Sequence, residues 1–554
     1  MSLIIETKTQ PINQQNAPTN PTANSSIPLA LGHIEFNIFF DGTWNSKKNS
    51  DFYNDPENLK KDDFKDPKAQ KKKYNLGISF ARAPTGVDRM HRASKDKDPY
   101  IIPLYVDGSG TESWEDHQNK PSKDNALGAA LGWFSTGVNG KLDKMYKQIK
   151  DKIDELMNDG QQPISSIIFN VYGFSRGAAT ARMFCNRVIK VKKIPLEKEY
   201  VLDKREYLDL SPYSVTLKMV GIFDTVSSIG VNHTDDVESN GQDLDFGQCF
   251  ATGKIIHILA GHEFRQKFNV TSIKKSVLDG NGFELVMPGC HTDIGDGLGT
   301  EKIYKSNEKD INKRWEVIAH NEDKTILQKY RVYDDEPDDV LFPSIHPLPV
   351  GRSEFKARKE NNNANFKEVL KYLVEKGWFK DEGDDPQIKI EKGKVFEMLN
   401  VGRVQISPDY PKIPTFIMLE FVKKFGAYHF NDNYFEQYSI ATTCDENLLT
   451  MYNNLSTQAF ELLTKNEARQ EQRYVDTVIY DGMQDIKHTF AERNIDMPYI
   501  DIKGNEDLRK LMYNQYLHWC SEMKRGVGDL IFTQVNIAHI DIRTNRFYRE
   551  VVEG

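Results

Sequence analysis

The stretch Ser165–Arg182, SSIIFNVYGFSRGAATAR, decides how the chain is read. Its first half is an apolar run rich in β-branched and aromatic residues, the composition of a buried strand. From Arg176 onward it is rich in alanine, the strongest helix former. Between the halves stands Ser175, with Gly173 and Gly177 two residues away on either side. A strand that turns into a helix at a serine presents the hydroxyl at the carboxyl edge of a parallel sheet, and the glycines let neighbouring backbone come close. The same letters also fit a glycine-rich strand–helix turn around an inert serine. Because the chain has 36 glycines, a chance match is not rare. The apolar run before the serine and the small-residue helix after it supply the context that a nucleophile requires.

A serine hydroxyl needs a base, a carboxylate to orient that base, and N–H donors for the developing oxyanion. In this class of turn the acid and then the histidine follow the serine in chain order. Asp224 ends the apolar segment VTLKMVGIFDTV, where its carboxylate would project from the sheet edge at which ligands of open α/β sheets gather. Its plain alternative is a turn aspartate. His291 follows FELVMPG, on a loop with glycines on both sides, and is the first choice of base. Asp293 is the alternate acid and His518, in YLHWCS, the alternate base. His257 and His262 lie in IIHILAGHEF, which reads as a helix, so they are taken as core or face residues; the zinc-binding HExxH pattern is absent there. For the oxyanion, the backbone N–H of Arg176 is one expected donor. The N–H of Gly42 or Thr43 in FFDGTWN is the other, with Asp41 ordering that loop.

Other segments alternate between strands and helices. HIEFNIFFDGTWN and PYIIPLYVDGSGT read as strands ending in turns. KLDKMYKQIKDKIDELMND places Met145, Ile149, Ile153 and Leu156 at helical spacing, a stripe that normally packs on a core. The expected fold is α/β: a mostly parallel, α/β-hydrolase-like sheet flanked by helices, with an additional mainly helical C-terminal region. The expected organisation is a disordered tail over 1–31, rich in Pro, Asn, Thr and Gln, a catalytic core over 32–300, and an additional region over 301–554. Ser46 to Lys73 reads as a solvated loop. ANFKEVLKYLVEKGWF and NLLTMYNNLSTQAFELLTKNEARQEQRYV read as helices, and LIFTQVNIAHIDIRTNRFYREVV as late strands able to rejoin the core.

The bulk composition narrows the class. At 554 residues the chain exceeds one ordinary compact core. The 73 basic and 81 acidic residues leave a net charge of -8, which argues against a nucleic-acid-binding domain. The 5 cysteines form no CxxC pair, so neither a disulfide framework nor a zinc–cysteine site is expected. The first residues carry no signal-peptide pattern, and no apolar run is long enough for a transmembrane helix. No metal or cofactor is called for by a serine mechanism.

FFDGTWN, YVDGSGT, GFSRGAATAR, GIFDTV and PGCHTDIGDG together resemble the uncharacterised α/β-hydrolase domain of type VI secretion lipase effectors of the first class, over about His33 to Thr300. The resemblance implies an antibacterial phospholipase, made in the cytoplasm, secreted without a signal peptide and acting at the membrane in the periplasm of a rival cell. It implies membrane phospholipid as substrate, a secretion spike or tube protein as carrier and a cognate immunity protein. It puts the family's nucleophile on Ser175, its acid on Asp224 and its base on His291. One departure is Asp296, which stands before Gly297 where the family has a run of glycines. By analogy, the region after Thr300 covers the core or engages membranes. Two other readings remain open at this stage: a serine esterase for a soluble ester, and a non-catalytic binding module on a hydrolase fold.

Overall fold

The computed structural model describes residues 32–55, 83–94, 100–112, 136–158, 163–196, 206–227, 253–263, 268–297, 374–380, 388–392, 397–401, 406–443, 445–469, 499–518, 540–541, 546–547 and 551–552. Its centre is a six-stranded sheet. The strands are β1 (Gly32–Phe40), β2 (Ile101–Val106), β3 (Ile164–Phe174), β4 (Ser214–Phe223), β5 (Lys254–Ala260) and β6 (Gly282–Met287), in the spatial order β2-β1-β3-β4-β5-β6. Every neighbouring pair is parallel. The strand order reverses at β1: β2 lies on one side of it, β3 and all later strands on the other. The carboxyl ends of β1 and β3 therefore flank a topological switch point, the place where open α/β sheets hold ligands. Asp41 directly follows β1 and Ser175 directly follows β3.

Alternation along each strand sorts side chains onto two faces. In β3, Ile167, Phe169 and Val171 go to one face and Tyr172 and Phe174 to the other. The first face is covered by α2 (Val138–Asn158) and α3 (Arg176–Lys190). The stripe Met145, Ile149, Ile153 and Leu156 of α2 is buried there, as its spacing requires.

The second face is covered by α1 (Gly86–Ala93) and by residues far beyond Thr300. These include Trp378 and Phe379, then α5 (Lys412–Lys424), α6 (Glu446–Arg469) and α7 (Glu506–Gln515), with Ile500 and Ile502. Ile413, Ile417, Met418 and Phe421 of α5 share one cluster with Met219 and Phe223 of β4 and Ile256 and Ile258 of β5. The late segment thus buries half of the sheet. Val551 and Val552 also pair in parallel with Val270 and Thr271, so the chain's last described strand returns to the core.

Three local expectations change. IIHILAGHEF is strand β5 followed by a turn, not a helix. It is buried on both faces, so it lacks the alternation that marks a half-exposed strand. Lys47–Asn54 is a helix capped by the Ser46 side chain, where a solvated loop is expected. His291 begins a five-residue helix, α4 (His291–Gly295), rather than lying in a loop. The helix expected over ANFKEVLKYLVEKGWF lies mostly outside the described residues, as do the N-terminal tail over 1–31 and everything from residue 470 to 498.

Candidate active site

Ser175 sits at the turn between β3 and α3 with φ 59° and ψ -126°. A non-glycine residue there stores about 1–3 kcal/mol of strain, which surrounding structure must impose. The backbone around it does so: the Ser175 N–H donates to the Phe223 carbonyl at 3.0 Å, and the Val226 N–H donates to the Ser175 carbonyl at 3.4 Å. The motif glycines are fixed by close approach. A Cβ on Gly177 would collide with the carbonyl oxygens of Phe40 and Asp41, and one on Gly173 would lie 2.7 Å from Ala178 Cα.

The non-glycine residues with positive φ among the described residues are Trp44, Ser175, Asp224 and Asp296. They belong to the segments that follow β1, β3, β4 and β6, so all of them lie at the carboxyl edge of the sheet. Among the described residues the strained non-glycine positions thus gather at one edge, which marks it as a candidate functional site.

Asp224 directly follows β4, the strand beside β3. Its Oδ1 accepts the Ala260 N–H at 2.9 Å, and its Oδ2 lies 2.5 Å from His291 Nδ1. The bond to Nδ1 fixes the imidazole and leaves Nε2 for other work. The His291 ring packs on Phe174, the residue before the serine, with ring centroids 4.6 Å apart, and on Phe268 at 5.1 Å. Its backbone N–H donates to Glu263 Oε2 at 3.1 Å.

The alternates meet each other instead. His518 Nδ1 lies 2.6 Å from Asp293 Oδ1, while Asp293 Oδ2 accepts the N–H groups of His518 at 2.9 Å and Cys290 at 2.8 Å. This pair ties the end of α7's segment to α4 and holds the helix that begins with His291.

The loop expected to supply an oxyanion donor follows β1. The Gly42 N–H donates to Asp41 Oδ1 at 2.7 Å, which engages one of the two expected donors. The N–H groups of Thr43 and Arg176 have no partner among the described residues. Asp41 orders the loop through Thr85 Oγ1, which donates to Oδ1 at 2.7 Å, and Tyr105 OH, which donates to Oδ2 at 2.6 Å. Burial and the neighbouring Asp88 push the Asp41 carboxyl up to about 7 against these donors.

Several supporting groups carry no short-range signal in the sequence. Glu284 Oε1 lies 3.0 Å from His257 Nδ1, and His257 Nε2 accepts the N–H of Thr225, the residue after Asp224, at 3.1 Å. Burial keeps His257 below the ordinary histidine pKa, which suits an imidazole that accepts from an amide. Asp296 is anchored rather than free: Arg89 Nε donates to its Oδ2 at 2.8 Å and Tyr438 OH at 3.0 Å. The described residues contain no group of three or more His, Cys, Asp or Glu able to hold a metal, and no helix long and apolar enough to cross a membrane.

Residues 190–318 match the family model of the catalytic domain of Tle1-like phospholipase effectors of the type VI secretion system (T6SS). The match begins at the last residue of α3, so it includes Asp224 and His291 and leaves Ser175 outside. No curated protein matches. Among solved structures, the Tle1 effector bound to the VgrG spike from the type 6 secretion system is 17% identical, with a TM-score of 0.47, covering 97% of this chain and 99% of that one. An uncharacterised protein from Pseudomonas aeruginosa is 15% identical, with a TM-score of 0.33, covering 88% of this chain and 77% of that one.

Proposed function

Taking the Tle1-like catalytic segment as premise, we propose that this chain is a serine phospholipase of the A type that hydrolyses carboxylester bonds of membrane glycerophospholipids. The observation that carries the reading is Ser175 on a strained strand–helix turn, one strand from an Asp224–His291 pair whose imidazole packs on the adjacent Phe174.

In this scheme His291 Nε2 takes the Ser175 proton as Oγ bonds to the acyl carbonyl carbon. Asp224 holds the imidazole in the needed tautomer and stabilises the imidazolium. The oxyanion is received by the N–H groups of Arg176 and Thr43. His291 then gives the proton to the glycerol oxygen as the ester C–O bond breaks and the lysophospholipid departs. Water, deprotonated by the same histidine, attacks the acyl-enzyme; the fatty acid leaves and Ser175 regains its proton. Asp293 and His518 act as a brace for α4 rather than as acid and base. No cofactor enters any step.

As an effector of this family the protein would travel on a spike or tube component, act on the membrane from the periplasm of the target cell, and be neutralised in its producer by an immunity protein. The soluble-ester reading differs only in substrate; the binding-module reading loses ground to the paired Asp224 and His291. Acyl release from vesicles of phosphatidylethanolamine and phosphatidylglycerol, wild type beside Ser175→Ala, tests the proposal. Fatty acid released by the wild type alone supports it, and equal release by both removes Ser175 from the chemistry.

A further inference from the structure

Among the arginines whose side chains are described, all but one are bonded. Arg89 meets Asp296, Arg92 meets Asp88 and Asp51, and Arg509 meets Glu506. Arg182 donates to the carbonyls of Thr271 and Ser272, and Arg187 to Asn139. The Arg176 side chain has no hydrogen bond, ion pair or ring contact among the described residues; only its backbone carbonyl is engaged, by Thr180 Oγ1 at 2.8 Å. Arg176 is the residue that follows Ser175.

Two physical costs meet at this position. A guanidinium cannot discharge itself by losing its proton, so a desolvated one without an anion is unfavourable. Burial alone pulls the Arg176 pKa down to about 10, with no carboxylate opposing it. The residue also opens α3, a 15-residue helix, and the amino end of a helix carries partial positive charge that disfavours a cation. Neither cost has a structural return within the described residues. Arg176 is nonetheless partly exposed, so a ligand can reach it.

An anion placed there would relieve both costs. Guanidinium forks bind phosphate in bidentate fashion, and helix amino ends favour the same charge. A glycerophospholipid brings such an anion on the same glycerol that carries the acyl ester. We propose that Arg176 binds the phosphodiester of the lipid whose ester Ser175 cleaves, and so selects phospholipid over neutral glycerolipid. The assignment rests on the phospholipase reading above and adds to it the group that recognises the headgroup.

The test compares kcat/KM on phosphatidylethanolamine and on diacylglycerol in the same non-ionic detergent micelles, for the wild type, Arg176→Gln and Arg176→Lys. The expected result is that Arg176→Gln lowers the phospholipid-to-diacylglycerol ratio about 10- to 100-fold, the loss of charged hydrogen bonds. Arg176→Lys, which keeps the charge without the fork, should fall between, and it serves if Arg176→Gln does not fold. An unchanged ratio, with both substrates falling together, overturns the assignment and leaves the phospholipase reading standing. If the wild type cleaves neither lipid but shows Ser175-dependent cleavage of a soluble ester, both fail. Repeating the wild-type assay with inorganic phosphate separates the two sources of the anion. A preference that persists, or that falls by competition and is restored by raising the lipid, supports lipid-borne phosphate; one that is lost and not restored by more lipid assigns the site to free phosphate and overturns the proposal.

Discussion

Two imidazole–carboxylate pairs meet around one short helix, and their bonds are nearly equal: 2.5 Å between His291 and Asp224, and 2.6 Å between His518 and Asp293. Pair geometry alone therefore cannot say which one is chemical. Their settings differ. Asp224 has φ 42°, directly follows the strand beside β3, and holds a ring that packs on the residue before Ser175. Asp293 has ordinary backbone and accepts three donors, two of them from His518 and one from the amide of Cys290. The first carboxylate is held in strain with an imidazole presented beyond it; the second is saturated and closes a joint. A catalytic pair is recognised by what its imidazole is left free to do, and a structural pair by how completely it is satisfied.

The sharpest way to break this comparison is to remove each histidine. His291→Ala should lower kcat on a phospholipid substrate about 10⁴-fold per folded molecule, beyond any loss of stability from the unpaired Asp224 Oδ2. His518→Ala should cost about 1–3 kcal/mol of stability and lower the melting temperature, because Asp293 Oδ1 loses the imidazole while Oδ2 keeps its two backbone donors. Its activity per folded molecule should fall far less than that of His291→Ala. Thermal melts and steady-state rates on both variants check this, and an interchange of the two phenotypes would reverse the assignment.

A smaller effect concerns the oxyanion loop. Burial, then Asp88, raise Asp41 to about 7 in the folded protein. The native state therefore keeps a proton that the unfolded chain releases at lower pH. That contribution to stability is present at low pH and is lost as the pH rises through about 7. Asp41→Asn removes the titration. Between roughly pH 5 and 8 the wild type should lose more stability than the variant. Denaturation curves at both ends of that range measure the slope, and parallel behaviour would contradict the raised pKa.

Much of the candidate site's placement at the sheet edge is legible because strands reveal where a sheet ends. Ser175, Asp224 and His291 each follow an apolar run, and Asp224 and His291 lie only 67 residues apart. What could not be read are contacts without a local pattern. His518 meets Asp293 across 225 residues, and no spacing announces that union. β5 reads as a helix in the sequence because a strand buried on both faces looks like any apolar segment. The largest surprise is the second face of the sheet. Ile413, Ile417 and Met418 fill it from beyond Thr300, where no motif marks the chain, because packing on a flat apolar surface asks only for a hydrophobic stripe. Gly42 was a reasonable donor from its position, but the Asp41 carboxylate takes its N–H.

The most direct measurement is covalent labelling with a fluorophosphonate, which reacts only with an activated serine, followed by peptide mass spectrometry. The account predicts one label on Ser175, retained in His518→Ala and lost in His291→Ala. A label elsewhere, or one that survives the loss of His291 and disappears with His518, would contradict it.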